Sequence, residues 1–429
     1  MKVGILSLGC AKNLVDSEMI LGAFKKAGYL FTSNPREADI IIVNTCAFIE
    51  SAQEESLNAI LEMMQYRKKI IVTGCLAEIY AKELKKDYPE IDVIIPFSKY
   101  HNFSQLVSSY LKDKKDYHLN PLNRYLITSA NFAYLRIAEG CNNFCSFCAI
   151  PYIRGRYHSR PIDEIVKEAN LLAKRGITEI SVIAQDVSYY GTDLKDKTNL
   201  TKLLKELDKV DGIKHYRLLY LYPNEITDDF IKFMKTSKKF YPYFDIPLQH
   251  ADETILKAMN RKGSHKQTLT ILNKIKREVP HAIFRTTMMV GFPGENEKAF
   301  KNLINFVNEF KFDHLGAFTY SREAKTKAYS LPKQVNEKTK KQRLDILMKA
   351  QKKISLKKNQ SHVGEIIEGL YIGLDPSSGY QQFLTKYNSP DDTDGSVFTD
   401  APFDLEVGKY YKLKVKDAFV YDLFVEILK

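Results

Sequence analysis

Three times in the first hundred residues, an apolar, β-branched run of strand length gives way to a segment whose apolar residues return at helical spacing. KVGILSLGC is followed by NLVDSEMILGAFKKAGY, ADIIIVNTC by AFIESAQEESLNAILEMMQ, and KKIIVTGC by LAEIYAKELKKDYP. Continuous β-branched runs predict buried strands, and the 3.6-residue period predicts helices against them. Strands and helices alternating over short connections predict a parallel sheet covered by helices. A fourth run, IDVIIPFS, closes this block.

A second alternation begins with a strand from Phe132 to Ile137. It continues as RPIDEIVKEANLLAKRG and EISVIAQD, LTKLLKELDKV and HYRLLYLYP, DDFIKFMKTS and YFDIPLQH, ILNKIKREV and IFRTTMMVGFPG, and NEKAFKNLINFVNEF and HLGAFTYS. Six strands are fewer than the eight of a closed βα barrel, so the pattern predicts an open six-stranded βα barrel, a partial TIM barrel, with its working face at the strand carboxyl ends. A helix follows, EKTKKQRLDILMKAQKKISLKK, in which Leu344, Leu347 and Met348 predict a buried side. After His362 the pattern turns all-β: GEIIEGLYIG, QQFLTKY, GSVFTD, YYKLKVKDAFV and YDLFVEIL, parted by Gly, Pro and Asp turns. Five short strands predict a small OB-like β-barrel. The fold class is α/β with a terminal β-barrel, divided into residues 1–120, 127–358 and 360–429.

Composition adds the setting. A chain of 429 residues with 44% apolar content has room for two or three cores. No charged, apolar leader and no apolar run near membrane-spanning length is visible, so the expected location is cytoplasmic. The net charge of +12 fits either a polyanionic partner such as RNA or the ribosome, or solvated lysine faces. It is unevenly spread. Lys325 to Lys358 holds twelve Lys and Arg against two acids, whereas Val363 to Lys429 holds twelve acids against six lysines, a net of −6 that leaves +18 on the rest. Such a tail repels phosphate and attracts a basic protein.

Six cysteines in a reducing compartment are core residues or metal ligands rather than disulfides. Cys10, Cys46 and Cys75 each end a predicted parallel strand, and open α/β sheets bind ligands along that edge. Thiols 36 and 29 residues apart can therefore converge. Three thiolates supply all but one of the usual ligands of a four-iron cluster; zinc, which usually takes four, is the rival. Cys141, Cys145 and Cys148 follow another strand with the spacing C-x-x-x-C-x-x-C. One tight loop could wrap a cluster there, or a zinc knuckle completed by His158.

The run CNNFCSFC, with Phe147 inside it, resembles the radical S-adenosylmethionine superfamily. The resemblance implies a four-iron four-sulfur cluster on Cys141, Cys145 and Cys148, with S-adenosylmethionine on the open iron as the radical source. Polar residues at strand ends are then candidates for holding that cofactor, namely Gln185, Asp186, Gln249, Gly291 and Tyr320, with Tyr222 and His250 beside them. Ordinary strand-end capping is the alternative for each, and the glycine-lined GFPGE turn would let backbone approach a ligand.

Over its whole length the chain resembles the methylthiotransferases. That resemblance implies a second, auxiliary four-iron four-sulfur cluster on Cys10, Cys46 and Cys75, taking part in sulfur insertion, and a terminal TRAM domain. SLGCAKNLVDSE, IAQDVSYYG, YFDIPLQHA and PDDTDG are similar to the RimO branch, which modifies the β-carbon of an aspartate in a small-subunit ribosomal protein (protein twelve). The MiaB branch modifies a tRNA anticodon-loop adenosine and typically has Gln-Met where this chain has Ala11 and Lys12. Arg154-Gly155-Arg156 is closer to the tRNA enzymes, and Lys325 stands where the ribosomal-protein branch usually has Gly. The implied partners are the basic ribosomal protein or the assembled small subunit, an electron donor such as flavodoxin or ferredoxin, and possible nucleic acid contact. No proton donor or acceptor is assigned.

Overall fold

The computed structural model describes residues 1–128, 131–390, 394–400 and 404–428; residues 391–393 of PDDTDG lie outside them. Strands β1 (Lys2–Ser7), β2 (Leu30–Phe31), β3 (Ile40–Thr45), β4 (Lys69–Gly74) and β5 (Val93–Ile95) form a sheet in the order β2-β1-β3-β4-β5. Every pairing in it is parallel. Helices α1 (Ala11–Lys26), α2 (Glu50–Met64), α3 (Cys75–Asp87) and α4 (Phe103–Leu111) cover it. One core packs Ile41, Val43, Ile70 and Val72 against Ile60 and Leu76; the other packs Val3, Ile40 and Ile42 against Ile20, Phe24 and Phe103. Burial on both faces is why β3 reads as an unbroken apolar run and not as an alternation.

The second unit starts with β6 (Phe132–Arg136). A short antiparallel pair, β7 (Ala138–Glu139) with β8 (His158–Ser159), brackets a loop and the single-turn helix α5 (Ile150–Ile153). Then come α6 (Ile162–Lys174), β9 (Glu179–Ile183), α7 (Leu200–Asp208), β10 (His215–Leu218), α8 (Asp228–Thr236), β11 (Phe240–Asp245), α9 (Glu253–Ala258), α10 (His265–Glu278), β12 (Ile283–Val290), α11 (Glu297–Phe310) and β13 (His314–Thr319). The six main strands form an open parallel sheet in the order β13-β12-β11-β10-β9-β6. Ala133, Leu135, Ile180, Val182, Tyr216 and Leu218 face the helices. The alternate positions Phe132, Tyr134, Ile183, Leu219, Tyr241 and Tyr243 face inward.

The six-stranded sheet stays open, and its inward face is covered by other parts of the chain. Helix α12 (Glu337–Gln360) leads to β14 (Ile366–Leu374), β15 (Gln381–Thr385), β16 (Val397–Thr399), β17 (Tyr410–Ala418) and β18 (Leu423–Leu428), a closed barrel in the order β14-β15-β16-β18-β17. Leu370, Phe383, Leu413 and Val425 share one core with Phe132, Tyr134 and Tyr243 of the sheet and with Ala11, Val15 and Met19 of α1. Polar contacts fix the dock: buried Arg217 donates to the Thr385 carbonyl, Arg285 Nε meets Asp394 at 2.9 Å, and Lys214 meets Glu368 at 2.6 Å. Along α12 only Leu347 of the three expected apolar residues is fully buried. The rest of its inner seam is polar, with Lys340, Arg343, Gln351, Ser355 and Asn359 buried. Gln351 and Asn359 donate to the Phe312 and Phe419 carbonyls, satisfying loop backbone that no strand pairs.

Candidate functional site

Because β1, β3 and β4 are neighbours in register, the residues that follow them line up along one edge. Cys10 precedes the first turn of α1, Cys46 follows β3 directly, and Cys75 opens α3. Gly9 makes this possible: its φ is +84°, and a Cβ there would stand 2.8 Å from the Cys46 sulfur. Asn13 ties the strand ends together, its Nδ2 donating to the carbonyls of Leu8 (3.0 Å) and Thr45 (2.8 Å), with the Cys75 thiol 3.8 Å from its Oδ1. Burial pushes the Cys75 thiol up to about 12, and Cys46 and Cys10 push the same way against the pull of Arg154. Burial also raises Cys46. The three sulfurs therefore lie within each other's electrostatic reach, and the protons of Cys46 and Cys75 leave readily only in exchange for metal.

The second triad sits on the loop bracketed by β7 and β8. The Cys141 amide donates to the Gly155 carbonyl (3.2 Å), closing the loop base, and Gly140, at φ +75°, lies against the Arg156 carbonyl where any Cβ would collide. Asn143, between the first two cysteines, donates to Asp186 at 2.8 Å; Ser146 donates to the Ala258 carbonyl at 2.8 Å; Asn260 donates to the Phe144 carbonyl at 2.8 Å. The loop is thus laced to the strand ends. Burial raises Cys141 to about 11 and Cys148 to about 12, while Arg261 Nη1 stands 3.7 Å from the Cys145 sulfur. His158 is no fourth ligand: its side chain is 81% exposed and faces Asp193 at 3.7 Å. A single zinc ion would draw its sulfurs to roughly 3.8 Å of one another. Among the described residues no three His, Cys, Asp or Glu side chains are gathered for one ion.

The strand-end residues divide. Gln185 donates to Glu139 (2.7 Å), and its buried Oε1 has no partner among the described residues. Gln249, at φ +73°, bridges β11 to β12 through its backbone, and its buried Oε1 is likewise unpartnered. Asp186 is engaged by Asn143 and Ser188, and burial raises its carboxyl. Gly291, at φ +74°, leaves room for the stem of Lys340, which a Cβ would meet at 2.3 Å. Tyr320 lies in a small core with Met259, Phe292 and Ala328, against which Phe147 packs. Tyr222 accepts from the Lys262 amide and lies under Arg261. His250 Nδ1 accepts from the Asp252 amide, so its Nε2 donates to Glu295 at 3.2 Å.

Sequence reasoning missed the residues that join the triads. Arg154 Nη2 donates to Asn13 Oδ1 (2.5 Å) and to Asp16 (2.9 Å), and its Nη1 donates to both Glu139 oxygens (3.2 Å each), with the guanidinium 4.2 Å from the centre of the Phe97 ring. Arg136 meets the same two acids, Asp16 at 2.5 Å and Glu139 at 2.8 Å. Burial alone would raise Glu139, but Arg154 and Arg136 outweigh it and hold its carboxyl at about 2. Arg154, Arg136, Asp16, Glu139 and Phe97 line a cavity of about 580 Å³ between the two sheets. The signal was present in CAKNLVDSE, where Asn13 and Asp16 fall on one helix face. A second strap is the segment after β13: Glu323 accepts from the Glu50 amide and from Gln53 (2.9 Å each), and Lys325 donates to the Ile79 carbonyl (2.8 Å).

Comparison with known proteins matches both halves of this site. Residues 2–96 fit the model described as uncharacterized protein family UPF0004, and residues 135–307 fit the radical SAM superfamily. A ribosomal protein uS12 methylthiotransferase RimO from Acetivibrio thermocellus is 42% identical, the match covering 100% of this chain and 98% of the relative. One of the same name from Aquifex aeolicus is 46% identical over 99% of this chain and 96% of the relative. Among solved structures, the radical S-adenosylmethionine methyltransferase TsrM from Kitasatospora setae, solved with cobalamin and a [4Fe-4S] cluster bound, superimposes with a TM-score of 0.56 at 13% identity. It covers 74% of each chain, a likeness of fold.

Proposed function

The chain belongs to the family of ribosomal protein uS12 methylthiotransferases, and on that premise we propose that it adds a methylthio group to the β-carbon of an aspartate in that small-subunit ribosomal protein. The observation that carries the reading is the pair of cysteine triads on facing sheet edges, joined through buried Arg154. Each triad offers three thiols and, among the described residues, no fourth protein ligand, the donor set of a four-iron cluster with one open iron. When bound, a cluster on Cys141, Cys145 and Cys148 with S-adenosylmethionine supplies radical chemistry at an unactivated C–H bond, and one on Cys10, Cys46 and Cys75 takes part in sulfur insertion.

The protein's own groups have separable tasks. Asn143 and Asp186 hold the radical loop in shape; Phe147, Phe292 and Tyr320 exclude water behind it. The unpartnered oxygens of Gln185 and Gln249 are acceptors suited to the donor groups of S-adenosylmethionine. Asp186 acts as a positioning residue, Gly291 serves packing, and the Tyr320 hydroxyl, buried without a partner among the described residues, is a third polar group suited to that cofactor. We assign the auxiliary site to residues 1–120, the radical site to 127–358 and substrate docking to 360–429, whose net acidity suits a basic protein. A groove between α11 and α12 lined by Lys311, Lys349, Lys353, Lys357 and Lys358 suits ribosomal RNA if the assembled subunit is the substrate. No helix among the described residues is long and apolar enough to cross a membrane; a ribosomal-protein substrate supports a cytoplasmic location, and a flavodoxin or ferredoxin is the reductant in this reading.

Anaerobic incubation of the reconstituted enzyme with S-adenosylmethionine, reductant, and either the ribosomal protein, small subunits or tRNA tests this. Mass spectrometry should find one methylthio group on an aspartate. Modified tRNA with untouched protein would overturn the reading.

A further inference from the structure

Buried cations in this fold come with carboxylates. Six Lys and Arg residues are buried among the described residues. Five are paired at 2.7–3.1 Å: Arg124 with Glu18, Arg154 with Asp16, Arg217 with Glu179, Lys340 with Glu337, and Arg343 with Glu295. The sixth is Lys12. It is 8% exposed, and its ammonium stands 3.4 Å from the centre of the Tyr220 ring, with no hydrogen bond or carboxylate partner among the described residues. An aromatic face leaves an ammonium's N–H donors unused, and this Nζ is not among the fully buried unpartnered atoms, so a ligand can reach it.

The position of this charge matters as much as its isolation. Lys12 lies in the first turn of α1, two residues after Cys10. Tyr220 lies just beyond β10, at the carboxyl edge of the radical sheet, in a left-handed conformation (φ +65°) that a non-glycine residue adopts only under constraint. Asp245 accepts from its amide at 2.8 Å. The ammonium thus reaches from the module of the auxiliary triad to the edge that bears the radical triad.

We propose that Lys12 is the recognition residue for the carboxylate of the target aspartate, the counter-ion its burial lacks; this rests on the function proposed above. A carboxylate held there carries its β-carbon one bond away, which fixes the carbon to be modified between the two triads. A charge-assisted pair in a desolvated site also discriminates aspartate from its neutral isostere.

The test measures anaerobic binding of ribosomal protein uS12, carrying either the target aspartate or asparagine in its place, to reconstituted enzyme with S-adenosylmethionine present. The wild type should bind the aspartate form at least about tenfold more tightly. Lys12→Met should bring the aspartate form down to the asparagine level and leave the asparagine form unchanged; Lys12→Arg should keep part of the preference. Lys12→Gln is the second variant should the methionine fail to fold, with iron content as the check. Equal weakening of both forms, or a preference surviving in Lys12→Met, overturns the proposal. So does loss of S-adenosylmethionine binding without substrate, which would assign the ammonium to that molecule's own carboxylate. A wild type that binds neither form refutes the underlying function, whereas one that binds both equally refutes the role of Lys12 alone.

Discussion

Replacing Arg154 by methionine tests the junction on which the two-triad site depends. The substitution keeps a long side chain over the Phe97 ring but removes the donors to Asn13, Asp16 and Glu139. Breaking a buried ion pair from one side costs about 3–5 kcal/mol, because the remaining charge is left without a partner. Here the loss is cushioned: Arg136 still reaches Asp16 at 2.5 Å and Glu139 at 2.8 Å, and Glu139 is about a third exposed, so water screens it. The low end, about 3 kcal/mol, is therefore expected, and it falls mainly on Asp16. For a unit of 150–250 residues this lowers the melting temperature by about 6–12 °C. Calorimetry of the anaerobically reconstituted protein reads it, with Asp16→Asn added to Arg154→Met as the control. Neutralising Asp16, which then shares Arg136 with Glu139, should recover at least about 1 kcal/mol. A single variant within 1 kcal/mol of wild type, or a double variant no better than the single, would refute the reasoning. The acid limb gives a second readout. Glu139 is held below its ordinary value of 4.5, at about 2, so its contribution is present above pH 4.5 and is lost as the pH falls toward 2. Without Arg154 that loss should begin at higher pH.

Changing Cys10, Cys46 and Cys75 together to alanine should lower iron from about eight to about four per chain while reductive cleavage of S-adenosylmethionine persists; iron and sulfide analysis with product chromatography checks both, and unchanged iron would remove the auxiliary cluster from the scheme. Gly9→Ala places a methyl group 2.8 Å from the Cys46 sulfur at a φ of +84°, a backbone cost of about 1–2 kcal/mol before the clash; it should lose auxiliary iron selectively, measured as a drop toward four per chain. In metal-free protein, Cys75 and Cys148 are raised to about 12, so at pH 9 they remain protonated where an ordinary thiol is half ionised. Timed iodoacetamide labelling read by mass spectrometry should mark exposed Cys10 well before either, and labelling of Cys75 at the same rate would contradict its burial.

Local pattern determined a good deal. The β-branched runs and the helical repeats between them are short-range properties, so they marked the strands, the parallel order, the positions of Cys10, Cys46 and Cys75 at strand carboxyl ends, and the loop after a strand that carries Cys141, Cys145 and Cys148. The five short strands after His362 marked the terminal barrel in the same way. Where single residues were asked to act across space, the sequence had less to say. Gln185 and Gln249 keep a buried side-chain oxygen without a partner among the described residues, as does the Tyr320 hydroxyl, but nothing in their neighbours separates them from Gly291, whose open space is taken by Lys340. Tertiary structure alone decided that Arg154, 141 positions away from Asn13, supplies its hydrogen bond, that the terminal barrel docks on the sheet through Arg217 and Arg285, and that Lys12 is buried without a carboxylate among the described residues. The physical reason is that periodicity records which face of an element is buried, whereas charge pairing depends on which distant elements meet there.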